Sequence, residues 1–313
     1  MTQKKAVRHA EPPKSLSGWF VRYRFEIARR IAQLAVLALF AGTARLGWTL
    51  LGRPILSGDL SASLVLGTIP LSDPFALIQK LAAGLMPEVT LIVGALLVLA
   101  GYILLGGRSF CAWVCPMNSV TDFADWVRVK LGIKTDWVRL SSKTRYAVAL
   151  GALIASAVTG SAAFEWISPQ AWLWREVVWG FGLGSASAVL GVFALDLLVV
   201  RRGWCGHLCP LGAFWSCAGK VGVIKPVFND SLCTRCGDCL KVCPEPGVIN
   251  FNQAAGRGFI TGMECTNCGR CVAVCPEKAL KFGVRPLGRK VIAVLPDTEN
   301  NSTNRRQLSL IHI

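Results

Sequence analysis

The chain has 313 residues, 53% of them hydrophobic and 17% charged, with a formal net charge of +16 and a mean hydropathy of +0.47. That hydropathy excludes an ordinary water-soluble protein for most of the length. Lysines and arginines flank apolar stretches instead of forming one basic domain, which argues against nucleic acid and for attraction to anionic lipid headgroups.

Residues 1–30 are basic and polar, with no apolar h-region ahead of a cleavage site, and are expected to remain as a cytoplasmic tail. Four apolar stretches follow, at about 31–51, 89–107, 146–167 and 177–200, each near the about 20 helical residues a bilayer requires. Arg45 interrupts the first, near an end from which a long side chain reaches the interface. Eight lysines and arginines lie in the tail and seven in the 108–145 loop, against Arg53, Lys80 and Arg175 in the other two loops. The positive-inside rule then places both termini in the cytoplasm, with Trp166, Trp172, Trp174 and Trp179 as an outer aromatic belt.

Between the first two stretches, residues 57–87 are too polar to span and read as an interfacial segment capping the bundle. The second and fourth stretches each lead into one frame, Arg-x-aromatic-Cys-x3-Cys-Pro, at 108–116 and 202–210. This reads as a duplicated unit of two helices and a cysteine turn. The duplication is expected to bring Cys111, Cys115, Cys205 and Cys209 together at the cytoplasmic face. Four thiolates there suit a third iron–sulfur centre, a redox dithiol, or packing alone. Cys217 fits no pattern and reads as a buried hydrophobe. Small residues in the third and fourth stretches, Gly151, Ala155, Gly180 and Gly191 among them, permit close helix approach.

Ionisable groups are scarce in the spans. Asp196, near the inner end of the fourth, calls for an arginine partner or a role in proton transfer. His207, inside the second cysteine turn, is a loop residue or a proton acceptor. Glu165 and Glu176 read as interfacial. His9 and His312 lie in the tails, which leaves no axial pair for haem, and no Cys-x2-Cys-His is present.

Beyond residue 220 come two runs of C-x2-C-x2-C-x3-C-P, at Cys233, Cys236, Cys239, Cys243 and at Cys265, Cys268, Cys271, Cys275. This is the bacterial ferredoxin spacing, in which the fourth cysteine serves the other cluster. One 4Fe-4S cluster is expected on Cys233, Cys236, Cys239 and Cys275, and a second on Cys265, Cys268, Cys271 and Cys243. Zinc explains neither the third cysteine at the same step nor the trailing proline. The expected fold is an integral membrane α-helical bundle of four transmembrane helices with a C-terminal α+β two-cluster ferredoxin-like domain. Its parts are a tail (1–30), a membrane domain (31–220), a ferredoxin domain (221–283) and a disordered tail (284–313).

Four spans, two Cys-x3-Cys-Pro turns and a C-terminal ferredoxin pair, in this order, resemble the NapH-type membrane ferredoxins of periplasmic nitrate reductase systems. Ser72-Asp73-Pro74, residues 110–116 and 204–210, and Cys243-Pro244-Glu245-Pro246 carry the resemblance. It implies a multi-pass protein of the bacterial inner membrane that oxidises quinol from the quinone pool. Electrons would pass to a partner periplasmic iron–sulfur protein and on to a periplasmic reductase. Related ferredoxins serve nitrous oxide reduction and methylamine utilisation, so an accessory ferredoxin that keeps a metalloenzyme cofactor reduced is the alternative. The chain has no substrate-reducing domain of its own.

Overall fold

The computed structural model describes residues 9, 10, 13, 15–133, 135–180 and 182–285. The expected disordered tail therefore lies almost wholly outside the described residues. Helix α1 (Leu16–Leu46) opens on Ser15, whose hydroxyl accepts the Gly18 N–H at 3.1 Å. It starts inside the segment expected to be a tail, so Arg22, Arg24, Arg29 and Arg30 are helical and continuous with the apolar stretch. Gln33, buried on its inner face, donates to the Ala112 and Cys115 carbonyls at 3.0 and 3.2 Å.

A hairpin of β1 (Thr49–Leu50) and β2 (Arg53–Pro54) precedes an antiparallel meander of β3 (Leu56–Gly58), β4 (Ala62–Val65) and β5 (Ile69–Ser72). Its register pairs Leu56 with Val65 and Ala62 with Ser72. Helix α2 (Pro74–Ala82) follows, with Pro74 in its first turn and the Asp73 carboxylate accepting the Phe75 N–H at 3.0 Å. The segment expected to be an interfacial cap is thus a small sheet with a helix. It packs on α3 (Val89–Leu104), which is followed by the short α4 (Ser109–Trp113) and by α5 (Met117–Lys130).

Helix α6 (Thr144–Thr159) stops at Gly160, which takes φ +64°, so the third apolar stretch ends short of 167. Two short helices, α7 (Ala163–Ile167) and α8 (Pro169–Trp179), come next. The chain breaks again after Trp179, and α9 (Leu183–Ala194) continues into a π-helical turn, Leu195–Val199. A second π-helical turn, Trp204–Leu208, leads to α10 (Pro210–Gly219), which packs against α6 and α3. Among the described residues α1 is the one helix long and apolar enough to cross a bilayer; α3, α6 and α9 with its π turn are shorter apolar helices.

Outer elements account for residues the sequence left loose. Trp174 is not in a belt but fully buried, its ring 4.7 Å from Phe40. Arg45 donates to the Glu176 and Val177 carbonyls at the end of α8. Glu176 accepts the Gly182 and Ser185 N–H groups at the start of α9, and Glu165 accepts the Ser61 hydroxyl at 2.9 Å.

The last lobe is framed by β6 (Ile224–Phe228) and β7 (Leu280–Val284), antiparallel with Ile224 opposite Val284. Between them lie α11 (Asp238–Lys241), α12 (Phe251–Arg257) and α13 (Arg270–Val274), around a core of Phe228, Val248, Ala254, Ile260 and Leu280. This lobe sits directly on the ends of α3 and α10. At the seam Gly107, with φ +73°, lies so close to Gly219 that a Cβ would come within 2.3 Å of its Cα. Gly107→Ala therefore carries left-handed strain plus overpacking of about 1–3 kcal/mol. Gly132→Ala (φ +69°, no neighbour within 4 Å) carries strain alone. Thermal unfolding should show G107A clearly less stable than G132A; equal melting would mean that the seam is loose.

Candidate electron-transfer site

Both ferredoxin runs form the same loop. The third and fifth positions of each take left-handed backbone, Arg235 and Gly237 in the first and Asn267 and Gly269 in the second. These reversals curl the chain around a hollow, and each hollow receives one cysteine from the other run. One cavity is lined by Cys233, Cys236, Cys239 and Cys275; the other by Cys265, Cys268, Cys271 and Cys243. Their volumes, about 370 and 390 Å³ including space open to solvent, are nearly equal.

The donor set suits iron–sulfur cubes. Burial, then the neighbouring thiolates, push the Cys239 and Cys243 thiols up to about 12. Thiols raised this way lose their protons readily to a strongly positive centre, which iron supplies. Among the described residues no group of three or more His, Cys, Asp or Glu side chains is placed to hold a single metal ion.

The four turn cysteines also come together. Cys111, Cys115, Cys205 and Cys209 join one apolar cluster with Phe75, Phe110, Phe164, Leu211 and Trp215. Their depth differs from expectation. The Cys115 Sγ lies 3.3 Å from Gln170 Oε1 of α8, and Phe75 and Phe164 belong to α2 and α7, elements expected on the opposite side. The π-helical turn carrying Cys205 and the short α4 carrying Cys111 fold back into the bundle and do not end at its face.

Asp196 sits in the first π turn, 1% exposed, with no arginine on its carboxylate. Its Oδ1 accepts the Trp204 N–H at 2.9 Å and Oδ2 lacks a partner. Arg128 reaches the Asp196 backbone carbonyl instead, while Arg202 pairs with Asp122 and Arg201 with Asp125. Thr121 donates its hydroxyl to the Cys205 sulfur at 3.2 Å. His207 is half-buried, its Nδ1 3.4 Å from the Arg202 carbonyl. Cys217 is exposed, not buried.

Two buried ion networks join the lobes. Glu245 receives Arg108 and Arg145, each at 2.9 Å. Burial raises its carboxyl, but the two guanidinium groups outweigh this and hold it below the usual range. Arg108 also donates to the Glu264 carbonyl at 2.9 Å and to the Cys205 carbonyl at 3.4 Å. Asp122 gathers Arg30, Arg202 and Arg270, with Arg29 at 3.8 Å. The Trp113 indole and the Asn267 amide complete the seam, Trp113 on the Asn267 carbonyl and Asn267 on the Leu105 and Ile224 carbonyls. Glu245 was visible in the sequence only as part of a motif; nothing marked Asp122, Thr121 or Asn267.

Comparison with known proteins places this arrangement. A profile described as a 4Fe-4S dicluster domain matches residues 225–276, and one described as a 4Fe-4S binding domain matches twice, at 88–134 and 181–228. The double match reproduces the duplication of helix and cysteine turn. The chain is 41% identical over 234 residues to the ferredoxin-type protein NapH of Escherichia coli, covering 74% of this chain and 79% of that one. It belongs to the NapH and MauN family of ferredoxin-type proteins. The methylamine utilization ferredoxin-type proteins MauN are as similar. That of Methylorubrum extorquens is 42% identical over 71% of this chain and 75% of its own length, and that of Paracoccus denitrificans 42% identical over 74% and 80%. No solved structure matches the chain. As family members with 4Fe-4S domains, these are electron-transfer proteins, and the seam is where their two kinds of cysteine site meet.

Removing Glu245 leaves Arg108 and Arg145 buried without a counter-charge, which costs about 3–5 kcal/mol. E245A should unfold at a markedly lower temperature and expose the lobe junction to limited proteolysis, with E245D intermediate. Wild-type stability in E245A would show that the network carries no net stabilisation.

Proposed function

We propose that the protein is a multi-pass subunit of the bacterial inner membrane that oxidises quinol and passes the electrons to a partner iron–sulfur protein, and through it to a periplasmic reductase. The observation that carries the reading is Arg108, which opens the first cysteine turn and whose side chain reaches the second turn and the loops on either side of the Cys265–Cys271 cavity. The cysteine turns are thereby in line with two 4Fe-4S clusters, one on Cys265, Cys268, Cys271 and Cys243, the other on Cys233, Cys236, Cys239 and Cys275. Membrane embedding is supported by the large apolar side chains that α3, α6 and α9 turn outward, including Leu96, Leu97, Leu150, Ile154, Leu183 and Leu190. The shortness of those helices is compatible with a locally thinned bilayer.

Bound clusters supply one-electron transfer. The chain's own residues do the rest. Oxidising quinol to quinone breaks two O–H bonds and releases two electrons and two protons. Asp196, with a free carboxylate oxygen beside Thr121 and Cys205, is the proposed proton acceptor at the cysteine turns, and His207 offers a route outward from the same turn. Apolar packing from Phe110 and Trp215 keeps water from the four sulfurs. The match of a 4Fe-4S binding profile to both turn segments favours a third iron–sulfur centre there over packing alone.

Equal similarity to proteins named for methylamine utilization favours a second reading, an accessory ferredoxin that keeps a metalloenzyme cofactor reduced. Turnover separates them, because a respiratory subunit must match the reductase rate and a maturation factor acts once per enzyme. In membranes holding this chain and its partner, added quinol should bleach the cluster absorbance. C111S and C205S should each abolish that bleaching with the ferredoxin clusters intact, and the double variant should add little. Wild-type bleaching in a stably inserted double variant would reduce the turns to packing.

The topology follows the positive-inside rule and is tested separately. Reporter fusions after Gly84 and Gln170 should behave as periplasmic, and those after Lys130 and Gly283 as cytoplasmic. A periplasmic signal at Gly283 would move the ferredoxin lobe to the other side.

A further inference from the structure

The two ferredoxin cavities are alike in sulfur and unlike in charge. Lys225, on β6, is 2% exposed and its Nζ has no hydrogen-bond partner. The strand holds it beside the Cys265–Cys271 loop, since the Ile224 carbonyl accepts the Asn267 amide at 2.8 Å and Pro226 lines the cavity. Burial opposes its charge, and the Cys265 thiolate is the anion that favours it. On the α1 side of the same loop, Arg29 is 1% exposed with Nε and Nη2 unpartnered. Its nearest carboxylate, Asp122, is 3.8 Å away and shared with three other arginines, and Phe25, one helical turn earlier, packs directly on Gly269 of the loop.

Around the Cys233–Cys239 loop the buried charge is the anion Asp238, already paired with Lys241 at 3.0 Å, and Arg235 pairs with Asp230 at the surface. An unpartnered buried cation is costly unless something anionic faces it. Four cysteinates around a cube provide that anion, and reducing the cube adds one more negative charge. A fixed cation in a low-dielectric wall stabilises the reduced form over the oxidised one, whereas Asp238 and Lys241 largely offset each other.

We propose that Lys225 and Arg29 hold the cluster on Cys265, Cys268, Cys271 and Cys243 at a higher reduction potential than the cluster on Cys233, Cys236, Cys239 and Cys275. The inference rests on the cluster assignment above and not on quinol as donor. Electrons then collect on the centre next to the cysteine turns, and the outer centre fills after it.

The test is a redox titration of the full-length protein in detergent, followed by electron paramagnetic resonance, with iron content measured on each sample. The wild type should show two midpoints. Lys225→Met should lower the higher one and leave the lower unchanged, and Lys225→Arg should retain the wild-type value. Repeating the titration in a C236A background, which disturbs the outer cluster's signal, identifies the centre that moves. Arg29→Gln, acting from the other side, should lower the same midpoint and serves as the test if K225M fails to fold. Unchanged midpoints in the charge variants at full iron content, or a shift confined to the outer cluster, would overturn the proposal. Absence of iron from the wild type would instead overturn the cluster assignment itself.

Discussion

Everything at the junction depends on one carboxylate that two buried arginines share. Glu245 follows Cys243 by two residues, so the loop that donates a cysteine across to the second cavity is the loop that enters the helical lobe. Desolvating three ionised groups is expensive, and an isolated pair in such a place gives little net stability. Here further donors are used on the carbonyls of Glu264, Cys205 and Gly206, and among the described residues only Arg108 Nε and Arg145 Nη1 of the two guanidinium groups are left without a partner. The network has one more cation than anion, and it lies between a quartet of cysteine sulfurs in the apolar cluster and another in the ferredoxin lobe. Structural tie and electrostatic wall are one set of side chains.

The cysteine pattern was the most legible part of the chain, because spacing of thiols fixes loop geometry almost regardless of context. Two runs predicted two hollows with one exchanged cysteine each, and the cavities collect those same residues. The repeated turn was equally visible, and the family profile matches both copies. Helix limits were less legible. Hydropathy averages over a window and cannot register Gly160 in a left-handed turn or the break between Trp179 and Leu183, which shorten the third and fourth helices. Nor could it see that α1 continues through a run of arginines, since Arg30 is paired with Glu26 and Asp122, and Arg29 reaches Asp122 and the neutral Asn118 amide.

Polar residues were the least legible. Asp196 invited an arginine, and the arginines nearby were already committed to Asp122 and Asp125. Two π-helical turns meet there, since Asp196 lies in the first and accepts the Trp204 N–H that opens the second, and the next residue, Cys205, takes the Thr121 hydroxyl. The outer meander was hidden for a related reason. Its strands run only two to four residues, too short for alternation to emerge, and their pairing is fixed by turns at Gly58 and Gly67 instead of a buried face.

Electron flow poses a geometric problem if the ferredoxin lobe faces the cytoplasm and the acceptor lies outside. The depth of the cysteine turns narrows that problem. Cys115 meets Gln170 of α8, and the cluster that holds the four cysteines also holds Phe75 of α2 and Phe164 of α7. One end of this apolar cluster therefore belongs to the loops with few positive charges, and the other end meets Arg108 and the ferredoxin seam. A redox site at the turns lies between the two sides of the bundle and not at one of them. The short helices make this possible, since about 16 residues rise only about 24 Å and bring both ends within reach of one cluster of side chains. The breaks that hydropathy missed are thus the feature that lets a thin bundle bring the cysteine turns and the ferredoxin lobe into one line.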